Sequence, residues 1–152
     1  MTDMQTIADR VEIEALRAEF TDSATLHDYD RFASLFTTDG RWCIPGADVD
    51  FRSRAELRAG IERLQGFWAY FVQNPHAGVT FVDGDTATGR AYVTEFGRLR
   101  DGSSHLNHAI YHDRYRRTPD GWRFIERVYE VRYVDDSPLA GAPPAAAATT
   151  RS

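Results

Sequence analysis

Residues 86–134 decide the fold and read TATGRAYVTEFGRLRDGSSHLNHAIYHDRYRRTPDGWRFIERVYEVRYV. Three runs, at 86–99, 105–117 and 122–134, are rich in Val, Ile, Tyr, Phe and Thr. The segments Asp101-Gly102 and Thr118-Pro119-Asp120-Gly121 separate them. Because β-branched and aromatic residues favour strands, while Gly, Pro and Asp favour turns, this stretch predicts a meander of antiparallel strands.

The polar residues within these runs fall at alternate positions. Successive side chains of a strand point to opposite faces of a sheet, so the odd-numbered positions of each run share one side. The polar residues at these positions are Glu95, Asn107, Tyr111, Arg127 and Tyr129, and the apolar ones include Val93, Ala109 and Val131. A face that mixes a carboxylate, an amide, a guanidinium and two phenols with apolar groups predicts a lined pocket.

Helices precede this meander in the chain. Residues 4–24 predict a first helix, whose apolar stripe comprises Ile7, Val11, Leu16, Phe20 and Ala24. A short second helix carries Phe32, Leu35 and Phe36 at helical spacing and stops at residues 38–40. Residues 41–45 and 78–82 predict short strands, and Asp83-Gly84 is a hairpin signal.

A third helix begins at a capping box formed by Ser53 and Glu56. Its apolar face comprises Leu57, Ile61, Leu64, Trp68 and Phe71. Helices followed by hairpins predict an α+β fold, in which a curved antiparallel sheet wraps three N-terminal helices and leaves an internal pocket.

Composition narrows the class of protein. The chain has 152 residues and a net charge of −5, which predicts one soluble domain, over residues 1–136, and no nucleic-acid partner. Residues 137–152 are rich in Pro and Ala and predict a flexible tail. The single cysteine, Cys43, excludes an internal disulfide. No apolar segment reaches membrane-spanning length and no basic leader is visible, so we expect no membrane partner and a cytoplasmic protein.

Three segments carry a resemblance to a known family: DYDRFASLFTTDGRW (28–42), GDTATGRAYVTEF (84–96) and YHDRYRRTPDGWRFIERVYEVRY (111–133). Over about residues 5–140 the chain resembles the SnoaL-like branch of the NTF2-like (nuclear transport factor 2-like) superfamily. The resemblance implies an NTF2-like cone. The superfamily includes polyketide cyclases, steroid isomerases, dehydratases, a hexachlorocyclohexane dehydrochlorinase and non-catalytic dioxygenase subunits, so the fold alone does not specify a function.

The resemblance also implies positions for catalytic residues. Lyases of this branch use an Asp–His dyad, with the Asp near the end of the first helix. That position falls on Thr25, with Asp22 and Asp28 close by as alternatives. The His position corresponds to His76 or to Gln73. The arginine on the last strand of the dehydrochlorinase matches Arg127.

Our candidates for catalysis are four side chains: His76, Glu95, Tyr111 and Arg127, of which Arg127 would supply positive charge. Each has a structural alternative. His76 is a general base or acid if it opens onto the cavity, or an exposed loop histidine if it does not. Glu95 is a base whose pKa burial raises, or one half of a structural ion pair with Arg127. We expect these two charges within hydrogen-bonding reach or bridged by one water. Tyr111, like Tyr129, is an oxyanion donor or a packing residue.

The expected substrate-binding residues are Thr25, Asp28, Trp42, Trp68, Asn107 and Tyr129. Trp42 and Trp68 would clamp a planar substrate unless they belong to the core. His105, His108 and His112 do not form a convincing ligand set, so no metal and no cofactor is expected. His108, Ile110 and His112 alternate onto the convex sheet face, which predicts a homodimer through that face.

These candidates predict a cofactor-independent lyase, isomerase or cyclase. Proton abstraction next to a carbonyl, or elimination of water, needs a base, an acid and oxyanion support, without a metal or a nucleotide. The expected substrate is a small hydrophobic oxygenated molecule, such as a polyketide or terpenoid intermediate of secondary metabolism. The alternative is a non-catalytic small-molecule-binding or accessory subunit with the same fold.

Overall fold

A curved, open sheet wraps three helices in this computed structural model, which describes residues 2–145. The elements in chain order are α1 (Met4–Thr25), α2 (Tyr29–Ser34), β1 (Phe36–Ile44), β2 (Val49–Arg52), α3 (Arg54–Gln65), β3 (Trp68–Pro75), β4 (Val79–Asp83), β5 (Thr86–Leu99), β6 (Ser104–Thr118) and β7 (Gly121–Asp135). The predicted α+β fold with N-terminal helices and a curved sheet is confirmed.

The strands of the described sheet follow the order β2-β1-β7-β6-β5-β3, and β4 pairs with β5 beyond the end of β3. Hairpin turns make β5, β6 and β7 an antiparallel meander, as predicted. One pairing differs from the expectation, because β1 runs parallel to β7 and makes the sheet mixed. No tight turn joins these two strands, so chain connectivity does not require them to be antiparallel.

The inward face of the meander holds most of the expected residues. Along β5 the odd-numbered positions 87–97 are buried, which agrees with the predicted alternation. On β7 the inward residues change from Trp122 and Phe124 to Arg127 and Tyr129, because a one-residue register shift follows Phe124. Val131 was expected on this face, but it lies near the strand's exposed end and is 45% accessible.

Helix α1 packs on this face with a stripe different from the predicted one. Ile7 and Val11 are 45% and 61% exposed, whereas Asp9 and Ile13 are buried together with Leu16 and Phe20. Asp9 is buried because Arg117 donates two hydrogen bonds to it, of 2.7 and 2.9 Å, and the Trp122 indole donates another of 3.1 Å. Asp9, a polar residue on the buried side of α1, therefore anchors this helix to the β6–β7 hairpin.

Helices α2 and α3 end earlier than the sequence predicts, and strand β1 begins earlier. Helix α2 ends at Ser34, and Phe36 already begins strand β1. Helix α3 has the predicted start, where the Glu56 amide donates to Ser53 Oγ (3.3 Å), but it ends at Gln65 with Gly66 as its C-cap. Trp68 and Phe71, predicted on this helix, therefore lie on strand β3, where they pair with β5.

The described part of the C-terminal tail lies against the outer sheet surface. Arg98 donates to the Leu139 carbonyl (2.7 Å), and the Tyr70 hydroxyl donates to the Gly141 carbonyl (3.3 Å). Residues 146–152 of the predicted flexible tail lie outside the described residues, and its flexibility stays a prediction. In the described part, no helix is both long and apolar enough to cross a membrane.

Aromatic rings fill part of the space between the helices and the concave sheet face. Phe20 of α1 lies 4.8 Å from Phe32, 6.0 Å from Trp42 and 6.0 Å from Phe124, measured between ring centroids. Phe36 extends this cluster toward Phe124. The packed cluster belongs to the core, and a cavity lies beside it.

Candidate active site

The cavity has a volume of about 250 Å³ and lies between α1, α3 and the concave sheet face. This is close to the lower limit of ligand pockets, about 300 Å³. Most of its walls are apolar, and the polar lining side chains are Gln65, Gln73, Glu95, Asn107, Tyr111 and Tyr129. Glu95, Tyr111 and Tyr129 are buried, whereas Leu64, Gln65 and Trp68 are partly exposed. The cavity therefore has a polar deep end and a mainly apolar mouth.

Glu95 is the ionisable acid at the deep end. Its position on β5 points it inward, and only 8% of its surface is accessible. Gln73 Nε2 donates to its Oε1 (3.3 Å), and no described cation forms an ion pair with it. Burial raises the pKa of Glu95 from 4.5 to about 7, against the opposing effects of Gln73, Tyr129 and the charge of Arg127. Glu95 can therefore bind and release a proton near neutral pH.

Two polar atoms next to Glu95 lack hydrogen-bond partners among the described residues: Asn107 Oδ1 and the Tyr129 hydroxyl. The Tyr129 hydroxyl is close enough to Glu95 to lower the pKa of that carboxyl. Their atoms nevertheless do not have the geometry of a hydrogen bond. Burial raises the pKa of Tyr129, so its hydroxyl stays protonated. Buried polar atoms normally have partners, and here a bound molecule is a natural partner.

Tyr111 has a more fixed hydroxyl. The Trp42 indole donates to it (3.2 Å), and its ring lies edge-on to Tyr129 at a centroid distance of 5.2 Å. Burial raises the pKa of Tyr111 well above its ordinary value. Tyr111 therefore remains a neutral phenol and retains its own proton for donation.

Arg127 lies beneath the cavity floor and is paired with Asp113. Its guanidinium donates two hydrogen bonds to the Asp113 carboxylate, of 2.8 and 3.1 Å, and lies 4.0 Å from the Tyr111 ring centroid and 4.4 Å from that of Phe20. The predicted direct hydrogen bond between Glu95 and Arg127 is wrong, because Asp113 is directly opposite Arg127 in the β6–β7 register. The alternative, a bridge through one water, stays a prediction. Arg127 acts on Glu95 only through its charge.

Sequence reasoning missed Asp113 and its second arginine. Asp113 is an odd-numbered residue of β6, so the alternation that identified Tyr111 also identifies it. The Tyr115 hydroxyl donates to Asp113 Oδ2 (2.5 Å), and Arg17 of α1 donates to that hydroxyl (2.8 Å). No signal in the sequence pairs Arg17 with the sheet, because this contact depends on how α1 packs.

His76 does not reach the cavity, contrary to its predicted catalytic role. Strand β3 ends at Pro75, and the exposed His76 side chain lies on the outer sheet face. There its Nε2 is 2.8 Å from Thr94 Oγ1, which is 3.3 Å from His108 Nδ1. The prediction assumed that His76 directly follows a helix, but β3 intervenes and Gln73 lines the cavity instead.

The positions expected to replace the dyad aspartate are also outside the cavity lining. Thr25 is exposed at the end of α1. Asp28 is exposed and caps α2 by accepting from the Arg31 amide (3.3 Å). Asp22 forms a surface ion pair with Arg31. The expected substrate-binding roles of Thr25 and Asp28 therefore have no support from their positions.

Trp42 and Trp68 do line the cavity, as expected. Trp68 lies on the β5 backbone at Gly97, where an added Cβ would be 2.9 Å from the indole ring and 2.5 Å from the Tyr70 carbonyl oxygen. Gly97 is therefore needed for the indole to reach the wall beside Glu95. The close approach of the Trp68 indole to Gly97 therefore allows this residue of the edge strand β3 to line the cavity.

The histidines of the described chain lie away from the cavity. Within residues 2–145 no histidine lines the cavity, and no three His, Cys, Asp or Glu side chains are grouped to hold a metal ion. His108 and His112 are exposed on the outer face, as the alternation predicts. The homodimer expected through that face stays a prediction.

The family of the chain follows from a sequence comparison that spans most of this architecture. Residues 5–128 match the SnoaL-like domain family. The chain belongs to this family. The resemblance stated from the sequence is therefore confirmed. The match includes nearly all of α1, the cavity-lining residues other than Tyr129, and the first half of β7.

Other SnoaL-like and NTF2-like proteins share both sequence and shape with the chain. The γ-hexachlorocyclohexane dehydrochlorinase of Sphingobium indicum is 29% identical over 152 residues, covering 95% of this chain and 94% of that protein. The crystal structure of LinA is 26% identical, covers 95% and 100% of the two chains, and superposes with a TM-score of 0.84. An NTF2-like protein from Novosphingobium aromaticivorans is 25% identical, covers 94% of each chain, and has a TM-score of 0.70.

Proposed function

We propose that this SnoaL-like protein is a cofactor-independent lyase, isomerase or cyclase in which Glu95 transfers the proton. The observation that carries the proposal is a buried carboxyl in an apolar cavity, beside Asn107 Oδ1 and the Tyr129 hydroxyl. Within residues 2–145 this carboxyl has no paired cation, and those two atoms have no hydrogen-bond partner. An unpaired buried carboxyl is costly for stability, so a functional reason is favoured. The similarity to a hexachlorocyclohexane dehydrochlorinase supports a lyase reaction.

In the proposed mechanism, ionised Glu95 removes a proton from a carbon next to a carbonyl group. The electron pair of the broken C–H bond moves toward the carbonyl, and the Tyr129 hydroxyl donates to the oxygen on which negative charge develops. The positive charge of Arg127 beneath the floor favours that anion. In an isomerisation Glu95 returns the proton to another carbon, and in a dehydration it protonates the departing hydroxyl, which leaves as water.

The cavity supports a small hydrophobic oxygenated substrate, for example a polyketide or terpenoid intermediate. The aromatic walls at Trp42 and Trp68 suit a ring system, and the polar deep end suits its oxygen atoms. The small volume disfavours a large molecule. No described cation lines the cavity to neutralise a substrate carboxylate or phosphate beside Glu95.

Hydrogen–deuterium exchange tests this proposal without requiring the natural substrate. Small cyclic ketones are incubated with the protein in D₂O, and ¹H NMR follows the loss of signal at the carbon next to the carbonyl. We expect catalysed exchange for at least one ketone, and a loss of about a hundredfold or more in Glu95→Gln. Glu130→Gln, which alters an exposed carboxylate on the outer face, is the matched control. Equal rates in Glu95→Gln and the wild type would contradict a role for Glu95.

The second candidate function is a non-catalytic small-molecule-binding or accessory subunit. It is favoured by the absence of a histidine from the described cavity lining and by the exposed position of Thr25. Saturable ligand binding, measured by calorimetry, with no exchange above the uncatalysed rate for any bound ketone, would support this function over the lyase or isomerase.

A further inference from the structure

A chain of hydrogen bonds connects Glu95 to helix α1 through two uncharged side chains. The Thr21 hydroxyl donates to Gln73 Oε1 (2.5 Å), and Gln73 Nε2 donates to Glu95 Oε1 (3.3 Å). We propose that Thr21 and Gln73 are positioning residues, which keep Glu95 hydrogen-bonded in both of its protonation states. This inference deepens the proposed function and rests on the role given there to Glu95.

The Gln73 amide has a defined orientation between Thr21 and Glu95. A glutamine side chain accepts through its oxygen and donates through its nitrogen. Because Thr21 donates to the oxygen, the NH₂ group faces Glu95. An ionised carboxylate only accepts hydrogen bonds, so this arrangement matches the ionised, proton-accepting form of Glu95.

The protonated form of Glu95 keeps an acceptor oxygen and gains an O–H donor, which a second arrangement of the Gln73 amide can satisfy. Its carboxyl group then donates, and a half-turn of the Gln73 amide presents the oxygen to it as an acceptor. The NH₂ group then faces Thr21, whose hydroxyl also accepts, and the hydroxyl proton turns to a helix carbonyl, as threonines in helices commonly do. The same two residues thus satisfy Glu95 before and after it takes up a proton.

The other ionisable groups around Glu95 do not provide this function. Tyr111 on β6 and Tyr129 and Arg127 on β7 influence the carboxyl electrostatically. The pKa values of all three are raised above ordinary values that already exceed 9, so none changes charge between pH 5 and 9. α1 and β3 contribute the uncharged Thr21 and Gln73. Among these groups, Glu95 is therefore the one whose protonation determines the orientation of the Gln73 amide.

The test is a ¹³C NMR titration of protein labelled at the glutamate carboxyl carbon, with the Glu95 signal assigned by its loss in Glu95→Gln. Gln73→Met keeps the side-chain length and removes the amide. It should raise the pKa of Glu95 by about one, because the hydrogen bond that is lost is stronger to the ionised carboxylate than to the neutral acid. Thr21→Val should raise that pKa by a smaller amount, and Thr21→Ser, which keeps the hydroxyl, should restore the wild-type titration.

Gln65→Met is the matched control, because Gln65 lines the same cavity but accepts from Tyr29 (3.2 Å) and does not contact Glu95. It should leave the pKa of Glu95 unchanged. Identical titrations of Gln73→Met and the wild type would overturn the proposal, and if Gln73→Met does not fold, an unchanged Thr21→Val would do the same. The titration needs no substrate, so the expected pKa changes without any catalysed exchange would refute the proposed function and leave the positioning role intact.

Discussion

Replacing Glu95 with glutamine should stabilise the protein at pH 8.5 and change its stability little at pH 5. The pKa of Glu95 is raised by burial to about 7 in the folded protein, from an ordinary value of 4.5. Between these two values the folded protein holds a proton that the unfolded chain has released. The free energy of unfolding therefore falls as pH rises through this window, and the full loss is present above about pH 7.

The size of this effect follows from the two pKa values. At 1.36 kcal/mol per pKa unit, the difference between 4.5 and about 7 corresponds to a cost of about 3 kcal/mol in the wild type above pH 7. Glutamine cannot ionise and keeps the shape of the protonated carboxyl. Asp9 and Asp50 have pKa values lowered to about 2, but both lie outside the window and are present in both proteins.

Urea denaturation at pH 5 and pH 8.5 measures the effect. The gain in unfolding free energy from Glu95→Gln should be about 2.5 kcal/mol larger at pH 8.5 than at pH 5, because a small part of the cost is already present at pH 5. Glu14→Gln, which alters an exposed carboxylate on α1 away from any histidine contact, should give the same stability change at both pH values. If Glu95→Gln and the wild type depend on pH in parallel, Glu95 is not held in a site that disfavours its charge.

Two further substitutions examine the groups around the carboxyl. Asp113→Asn should lower the unfolding free energy by about 3–5 kcal/mol in urea denaturation, because it leaves the buried Arg127 guanidinium without its counter-ion; a loss below 1 kcal/mol would mean that Arg127 is charge-balanced elsewhere. Tyr129→Phe should change stability by less than about 1 kcal/mol, since its hydroxyl has no partner, yet slow ketone exchange at least tenfold. An unchanged exchange rate would remove Tyr129 from the proposed oxyanion site.

The sequence predicted the part of the fold in which local signals agree. Strand-forming residues, turn residues and period-two alternation coincide over residues 86–134, so strands β5 to β7 were predicted to within a few residues. The same alternation predicted that Glu95, Tyr111 and Tyr129 face inward. On β7 it succeeded only for the residues after the register shift, because a single extra residue reverses the alternation.

The remaining errors arise from information that is not local. Trp68 and Phe71 continue the helical spacing of α3, so their place on β3 depends on pairing with β5. The prediction that His76 opens onto the cavity failed for the same reason, because strand β3 precedes His76 and carries it to the outer sheet face. Alternation identifies the face of a residue but not its partner, which is why Arg127 was assigned to Glu95 although Asp113 lies opposite it in the register.

The pH dependence of ketone exchange tests most directly whether Glu95 is the proton-transferring group. The rate catalysed by the wild type should rise with pH and level off, with a midpoint near 7, because only the ionised carboxyl accepts the proton. Glu95→Gln should show no such rise above the uncatalysed rate. A catalysed rate that is independent of pH between 5 and 9, or a midpoint that persists in Glu95→Gln, would contradict the account.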